Sequence, residues 1–442
     1  MSLIHKVSDL FKERKGSTSI HPSWKIIELK KACEIQNGFA FQSSEFNSLE
    51  GIPLIRIRDI LKHNPETFFR GSFNDFYIVR KGDLLVGMDG DFNHSLWKGP
   101  DSLLNQRVCR IIPNQKILLK RFLYYGLGDY LKKINENTSS TTVKHLSSKS
   151  IGEIPFALPP LPEQQRIVAK LDAVFGHLDR LREKLDRIPE LLKNFRQQVL
   201  TQAVTGELTR EWRAGKDLAD WEKTTIGDLF EVKTGGTPRR GVKEYYEGGT
   251  IPWVKSGLVK NELIFEADEF ITELAIRDSN VKIFPIDTLL VAMYGEGKTR
   301  GQVGWLKIKA TTNQAIAALV KEGMPNITRT YIYYYCLSQY NDIRAKAEGG
   351  NQPNLNLGKI KEWEISIPPM EEQIQIVSRI DSLFELSNKI ESQYQSLKAK
   401  IDQLPQAVLA KAFRGELVGQ EVKEYVREAG EVLMAAEARY KI

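Results

Sequence analysis

The sequence predicts an α+β fold: two mostly β domains with some helix, joined by two long antiparallel coiled-coil helices in a pseudo-two-fold repeat. Three observations lead there. LPPLPEQQRIV starting at Leu158 recurs as IPPMEEQIQIV starting at Ile367, and AVTGELT at Ala203 recurs as AFRGELV at Ala412, both 209 residues later. About fifty residues therefore repeat without a gap. Within that block apolar residues fall alternately four and three apart, the a/d seam of a coiled coil. Ahead of each block, short β-branched and aromatic runs alternate with Gly, Pro and Asn turns, which reads as β structure.

The first seam is Ile167, Leu171, Val174, Leu178, Leu181, Leu185, Ile188, Leu192, Phe195 and Val199. The second is Ile376, Ile380, Leu383, Ser387, Ile390, Tyr394, Leu397, Ile401, Leu404 and Val408, and only Ser387 interrupts its apolar pattern. A core or homodimer seam is the blander alternative, but two such seams in register argue for a paired spacer. Each helix opens with Pro-Pro and an acidic first turn (Glu163; Glu371 and Glu372), which suits the N-terminal dipole. Each closes with a glycine, Gly206 or Gly415. Pro189 and Pro405 lie inside the seams, so a kink is expected at each.

The chain thus divides into an N-terminal segment of no assigned role (1–20), a first domain (21–157), a first spacer helix (158–208), a linker (209–219), a second domain (220–366), a second spacer helix (367–418) and a C-terminal tail of no assigned role (419–442). The domains repeat more loosely than the helices. Trp24, IQNG (35–38), IPLIR (52–56), LLVGMDG (84–90) and NQR (105–107) are answered by Trp221, VKTG (232–235), IPWVK (251–255), LLVAMYG (289–295) and NQA (313–315). The drifting offsets are what loop insertions between common strands produce. A linker of about ten residues lets the helices pack side by side only if they are antiparallel, and about forty residues make a spacer of ~60 Å.

The net charge of +7 and pI near 9.0 favour a polyanionic partner. Cys33, Cys109 and Cys336 form no metal-spaced pair and suit a reducing cytoplasm. The six histidines are scattered singly, which argues against zinc. MSLIHKVSDLFKERKG has no signal-peptide core, and no run approaches ~18 apolar residues. A cytoplasmic protein without a membrane segment is expected.

TLLVAMYGEGKTRG (288–301) is an apolar run leading into a glycine-rich, charged turn. With Ala292 in place of the first glycine it fits a phosphate-cradling loop ending in Gly297, Lys298 and Thr299. Asp287, Glu296 and Lys298 would also suit a metal-dependent nuclease. The repeat supplies an internal control: LLVGMDGD (84–91) occupies the same place, and its continuation FNHSLWKG has no Gly-Lys-Thr. A phosphate loop must run into a helix, whereas GQVGWLKIKA reads as a strand. A hairpin with a charged loop remains.

Such a loop suits nucleic acid. Tyr294, Lys298, Thr299 and Arg300 are candidate DNA contacts, and so are Thr237, Arg239, Arg240, Lys243, Tyr245 and Lys255 in and after GGTPRRGVKEYYEGG (235–249). In the first domain the candidates are Arg56, Arg58, Asp89, Asp91, Asn93, His94 and Arg107. Two polar segments, 137–150 and 348–361, could bond phosphates, although ordinary loop composition explains them equally well. No catalytic constellation appears: there is no amino-methyltransferase tetrad, no S-adenosylmethionine fingerprint and no helicase motif pair.

Over nearly its whole length the chain resembles the specificity subunit of type I restriction–modification systems. The resemblance rests on LPPLPEQQRIVAKLD (158–172), IPPMEEQIQIVSRID (367–381), the helix ends QVLTQAVTGELT and AVLAKAFRGELV, and TGGTPRRGVKEYYEGGTIPWVKSG (234–257). It implies that each β domain is a target-recognition domain for one half of a gapped, asymmetric DNA sequence. It implies too that the helices set the gap and dock two adenine-methylating (M) subunits, and that translocase–nuclease (R) subunits can join. No cofactor is then expected in this chain; S-adenosylmethionine, ATP and magnesium would belong to those partners. The alternatives are a DNA-binding scaffold of another multi-subunit system, or an enzyme using Gly297, Lys298 and Thr299.

Overall fold

The structure is a computed structural model that describes residues 24–138, 144–295, 299–342 and 355–417. The segments 1–20 and 419–442 therefore lie outside the described residues. The chain forms two compact units, and their boundary cuts across the sequence repeat. Unit 1 holds the chain up to Asp186 together with Gln395 onward, and unit 2 holds Arg187–Tyr394. Each unit thus takes one β domain, part of the first spacer and part of the second.

In unit 1, β1 (Lys25–Glu28) pairs antiparallel with β11 (Pro155–Leu158), so the first and last strands close the domain on itself. One sheet runs β2 (Cys33–Asn37), β10 (Val108–Pro113), β7 (Leu84–Gly87), β8 (His94–Leu96). A second runs β3 (Phe46–Asn47), β5 (Phe68–Phe69), β4 (Ile52–Ile55), β9 (Ser102–Leu104), β6 (Ile78–Val79). β7 is buried along its whole length, as its unbroken apolar run requires. Helix α1 (Lys120–Asn137) turns Phe122, Leu123, Leu127 and Leu131 into the core beside Trp24 and Phe156.

Unit 2 repeats this plan. β12 (Glu222–Thr225) pairs antiparallel with β22 (Glu364–Ile367). The main sheet runs β13 (Glu231–Thr234), β21 (Ile316–Val320), β18 (Leu289–Ala292), β19 (Val303–Leu306), β15 (Glu262–Ile264). The lateral sheet runs β16 (Glu269–Ile271), β14 (Ile251–Val254), β20 (Ala310–Thr312), β17 (Ile283–Phe284).

The first spacer departs from the expected single kinked helix. It is two helices, α2 (Leu161–Leu185) and α3 (Ile188–Val204), broken at Asp186–Arg187, with Pro189 in the first turn of α3. Proline there needs no N–H partner, whereas in an uninterrupted helix it would deprive the Leu185 carbonyl of its bond. The second spacer, with α4 (Asn326–Ser338) preceding β22, is one 44-residue helix, α5 (Met370–Phe413), that carries Pro405 inside it. Both spacers start after the Pro-Pro pair, because Leu158 and Ile367 are the last residues of β11 and β22.

Within each unit the helix segments run antiparallel. In unit 1, Lys170 Nζ donates to the Leu417 carbonyl at 3.2 Å, Arg182 lies 3.6 Å from Asp402, and Lys398 lies 3.8 Å from Asp186. In unit 2, Arg196 meets Ser387 and Glu391 while Arg379 donates to the Leu208 carbonyl. The outer turns of the seam serve the domain cores as well: Ile167 and Leu171 pack with Trp24 and Phe156, and Ile376 and Ile380 with Val199 and Tyr331. Leu178, Leu181, Leu185, Leu192, Ile390 and Ile401 are buried, while Val174, Ile188, Leu383, Leu397 and Leu404 are half-buried. Ser387, the one polar seam position, is fully buried and accepts a 2.8 Å bond from Arg196 Nε.

Trp24 Nε1 donates to Glu163 at 3.0 Å, and Trp221 Nε1 donates to Glu372 at 2.8 Å. The acidic first turn expected for the dipole thus also ties each helix to the first strand of its domain. Glu372 is fully buried and takes Thr209 Oγ1 at 2.8 Å and Arg213 besides.

Candidate nucleic-acid interface

Strand register gathers most of the expected contact residues at one end of each domain. In unit 1, Asn37 at the end of β2 faces Cys109, Val108 faces Gly87 at the end of β7, and Val86 faces His94. The loops after β2 and β7 and before β8 and β10 therefore emerge together. β4 and β9 run parallel with Ile55 opposite Leu104, so Arg56 and Asn105 leave at a shared end. Backbone bonds lace the loops: Gly38 N–H to the Val108 carbonyl (3.1 Å), Phe39 N–H to Leu104 (2.9 Å), Gln106 N–H to Phe39 (2.9 Å) and Met88 N–H to Arg107 (2.9 Å). A Cβ on Gly38 would lie 2.0 Å from the Asn105 carbonyl oxygen, so only glycine permits this closeness.

Unit 2 builds the same end. Thr234 faces Ala317, Ala292 faces Ile316, and Val291 faces Val303. β14 and β20 run parallel with Val254 opposite Thr312, which brings Lys255 beside Asn313. Gly236 N–H donates to the Thr312 carbonyl (2.9 Å), Asn313 N–H to Val254 (3.1 Å) and Met293 N–H to Ala315 (2.8 Å). A Cβ on Gly235 would lie 1.9 Å from the Thr312 carbonyl oxygen. Thr237, Tyr294, Thr299 and Arg300 all sit on these loops, and Thr237 Oγ1 bonds the Gln314 side chain.

Several candidates are held rather than free. Arg240 donates to Glu269 at 2.8 Å and lies over the Tyr246 and Trp253 rings, at 4.8 and 4.7 Å. Lys255 bonds the other oxygen of Glu269, and these two cations hold that carboxyl below its usual range, Lys255 foremost. Arg239 is exposed. In unit 1, Asp89 accepts His145 Nδ1 at 2.6 Å and pairs with Arg107 at 3.4 Å, which steadies an exposed guanidinium. Asp91 and Arg56 are exposed, and Asn93 is half-buried, its carbonyl accepting Gly87 N–H at 2.7 Å. Arg58 is half out in solvent and donates to Thr67 at 3.3 Å.

Three candidates are placed differently from expectation. Lys243 and Tyr245 form a turn whose Tyr245 carbonyl accepts Thr272 N–H, beyond the end of β16 opposite Glu269. Tyr245 packs on the Trp253 and Ile271 cluster there. His94 is half-buried against α1: Nε2 lies 3.1 Å from the Tyr124 carbonyl, the ring packs on Tyr124, and burial pushes its pKa down. Lys298 lies outside the described residues, as do 139–143 and 348–354 of the two polar segments.

Thr299 leads through a turn into β19, not into a helix, so the phosphate-loop reading loses the helix N-terminus it needs. Asp287 accepts Trp305 Nε1 at 3.0 Å and Lys307 Nζ at 2.8 Å, and Lys307 chiefly holds its carboxyl below the usual range. Glu296 and Lys298, its partners in the nuclease reading, lie outside the described residues. Among the described residues no group of His, Cys, Asp and Glu could hold a metal, and no helix is long and apolar enough to cross a membrane. The three cysteines are buried and free, each thiol pushed up to about 12 by burial.

Sequence reasoning missed an aromatic group at the unit 1 end. Phe39 and Phe76 are 48% and 53% exposed, with Tyr77 between them. The available signal was FAFQ directly after IQNG, an aromatic at a strand end where the second repeat has Gly236.

The family model for the type I restriction modification DNA specificity domain matches residues 22–190 and 219–399. The chain is 36% identical over 430 residues to the type I restriction enzyme EcoBI specificity subunit of Escherichia coli, covering 92% of this chain and 88% of that protein. It is 30% identical over 353 residues to the EcoDI specificity subunit of Escherichia coli, covering 76% and 78%. The HsdS subunit from Thermoanaerobacter tengcongensis shares the fold at TM-score 0.61 and 19% identity, covering 91% of this chain and all of that one. A chain from a structure on complex assembly and conformational transition of the type I R-M system does so at 0.64 and 19%, covering 90% and 100%. The chain belongs to the specificity subunits of type I restriction–modification systems, their non-catalytic DNA-recognition component.

Proposed function

We propose that this subunit reads a bipartite, gapped and asymmetric DNA target, one half-site per unit. The observation that carries this reading is the end built twice on one backbone plan with different side chains around a shared glutamine (Gln106, Gln314): Arg56 and Arg107 in one unit, Lys255 and Ala315 in the other. Equal frames with unequal readers suit unequal half-sites. The spacer helices then set the gap, with ~60 Å placing an upper bound on the order of eighteen base pairs between connection points. They also dock two adenine-methylating subunits, and restriction subunits join that assembly. S-adenosylmethionine, ATP and magnesium are bound by those partners, and the complex works in the cytoplasm, where the chromosome is. Phosphate contacts supply most of the affinity, which falls steeply with salt.

The test is single-molecule sequencing of methylated adenine across the host genome, with and without this gene and with its methylating partner expressed. One gapped, bipartite motif should vanish on deletion. An unchanged methylation pattern overturns the proposal.

A further inference from the structure

Among the described residues of unit 2, no aromatic stands at the positions matching Phe39, Phe76 and Tyr77 of unit 1. Phe39 directly follows Gly38, and its backbone is bonded on both sides, N–H to Leu104 and carbonyl to Gln106. Its ring lies 5.1 Å from Phe41 and 5.1 Å from Tyr77, and Phe41 is buried with Leu54, Phe69 and Leu103. A half-exposed ring is thus rigidly mounted. β6 and β9 pair with Ile78 opposite Leu103, so Tyr77 and Phe76 precede β6 at the end where Asn105 follows β9. In unit 2, Gly236 stands where Phe39 stands, and Lys282 precedes β17 where Tyr77 precedes β6.

Isolated exposed aromatics are ordinary, but this one belongs to an ordered cluster set among DNA-reading candidates. Exposed Gln106 and Arg107 follow on the same loop, and Arg56 leaves the adjacent strand. Those neighbours carry hydrogen-bond donors and positive charge suited to base edges and phosphates, so the ring most naturally meets DNA. In the major groove the one apolar feature of a base pair is the thymine methyl, and an amide such as that of Gln matches the adenine opposite it. Phe39 is buttressed by Phe41 and Tyr77 rather than standing free, which suits methyl contact better than wedging between base steps.

We propose that Phe39 is a specificity-determining residue of unit 1 that reads the 5-methyl group of a thymine in the first half-site, beside Gln106. This rests on the DNA-reading function proposed above, and the experiment separates the two. The full-length subunit, assembled with its methylating partner, is titrated against duplexes carrying the target and against scrambled duplex. Loss of that discrimination would remove the underlying function and not the Phe39 assignment alone. Each thymine is then replaced by deoxyuridine, which deletes only the methyl. At one first-half position wild type should weaken about four-fold, the value of one buried methyl-sized group. Phe39→Ala should weaken binding to thymine DNA at least as much and become indifferent to uracil at that position. Phe39→Leu, which keeps an apolar side chain on Phe41, should retain part of the discrimination and guards against a folding defect. Uracil in the second half-site should affect wild type and Phe39→Ala alike. The proposal is overturned if wild type ignores uracil at every first-half thymine, if the first half-site has no thymine, or if Phe39→Ala still distinguishes the two. It is also overturned if Phe39→Ala weakens assembly with the methylating partner and leaves base discrimination intact.

Discussion

In unit 1 the guanidinium of Arg56 is exposed, and Thr67 occupies the cross-strand place that Glu269 takes in unit 2. In unit 2 the matching Lys255 is bound to Glu269, and Arg240 joins it, lying over Trp253. Phe39 on one side answers to Gly236 on the other. Yet Gly38 and Gly235 both touch a neighbouring carbonyl, and Trp24 and Trp221 both reach the first turn of a spacer helix. The difference teaches how a target can vary on a constant fold. Positions that build the end tolerate little, because backbone meets backbone there. Positions that face outward carry little of the core, so changing them costs the frame little.

The largest effect should come from testing the frame itself. Gly38→Ala and Gly235→Ala each place a Cβ about 2 Å from a carbonyl oxygen, and neither backbone can yield without opening its loop. Each should cost about 3 kcal/mol, seen as a lowered thermal midpoint of the affected unit. If one were tolerated and the other not, the two ends would not share a frame.

A middle-sized effect concerns the prolines. Pro189 coincides with a break, while Pro405 sits in an unbroken helix. Pro405 cannot donate to the Ile401 carbonyl, and Arg182 Nη2 does so instead, at 3.5 Å, while pairing with Asp402. Arg182→Leu should therefore cost about 1 kcal/mol in chemical denaturation. The cost should shrink when Pro405→Ala restores the helical bond. Equal costs in both backgrounds would deny that Arg182 compensates for the proline.

The smallest effect is one of pH. Burial pushes the pKa values of His63 and His94 down, whereas unit 2 contains no histidine. Below about 6.5 an unfolded imidazole takes a proton more readily than these folded ones do, so folding stability is present above that pH and falls below it. Hydrogen exchange across mild acid should weaken protection in unit 1 before unit 2, and His94→Gln should flatten the decline. Parallel loss in both units would place the titrating groups elsewhere.

Much of the architecture was legible in the residues. The seam could be read because burial on one helix face imposes a period that local sequence displays, and the β18–β19 hairpin because its flanking strands alternate with glycines. Ser387 looked like a flaw in the seam, since its partner Arg196 lies 191 residues away. Lys243 and Tyr245 share a loop with Arg239 and Arg240, yet the chain reverses within that loop and leaves them at another end of β14. His94 matched the composition of a DNA contact, but α1 folds over it. Phe39 was passed over because an isolated aromatic ordinarily signals core.

By itself the sequence determined the repeat, the paired spacers, the order of domains and the loops rich in charge, all consequences of patterns spanning a few residues to a few turns. The tertiary structure decided which helix breaks at its proline, which cations are already bound to carboxylates and which side chains share an exposed end. Those outcomes depend on partners distant in sequence, whose meeting is set by strand register and helix pairing.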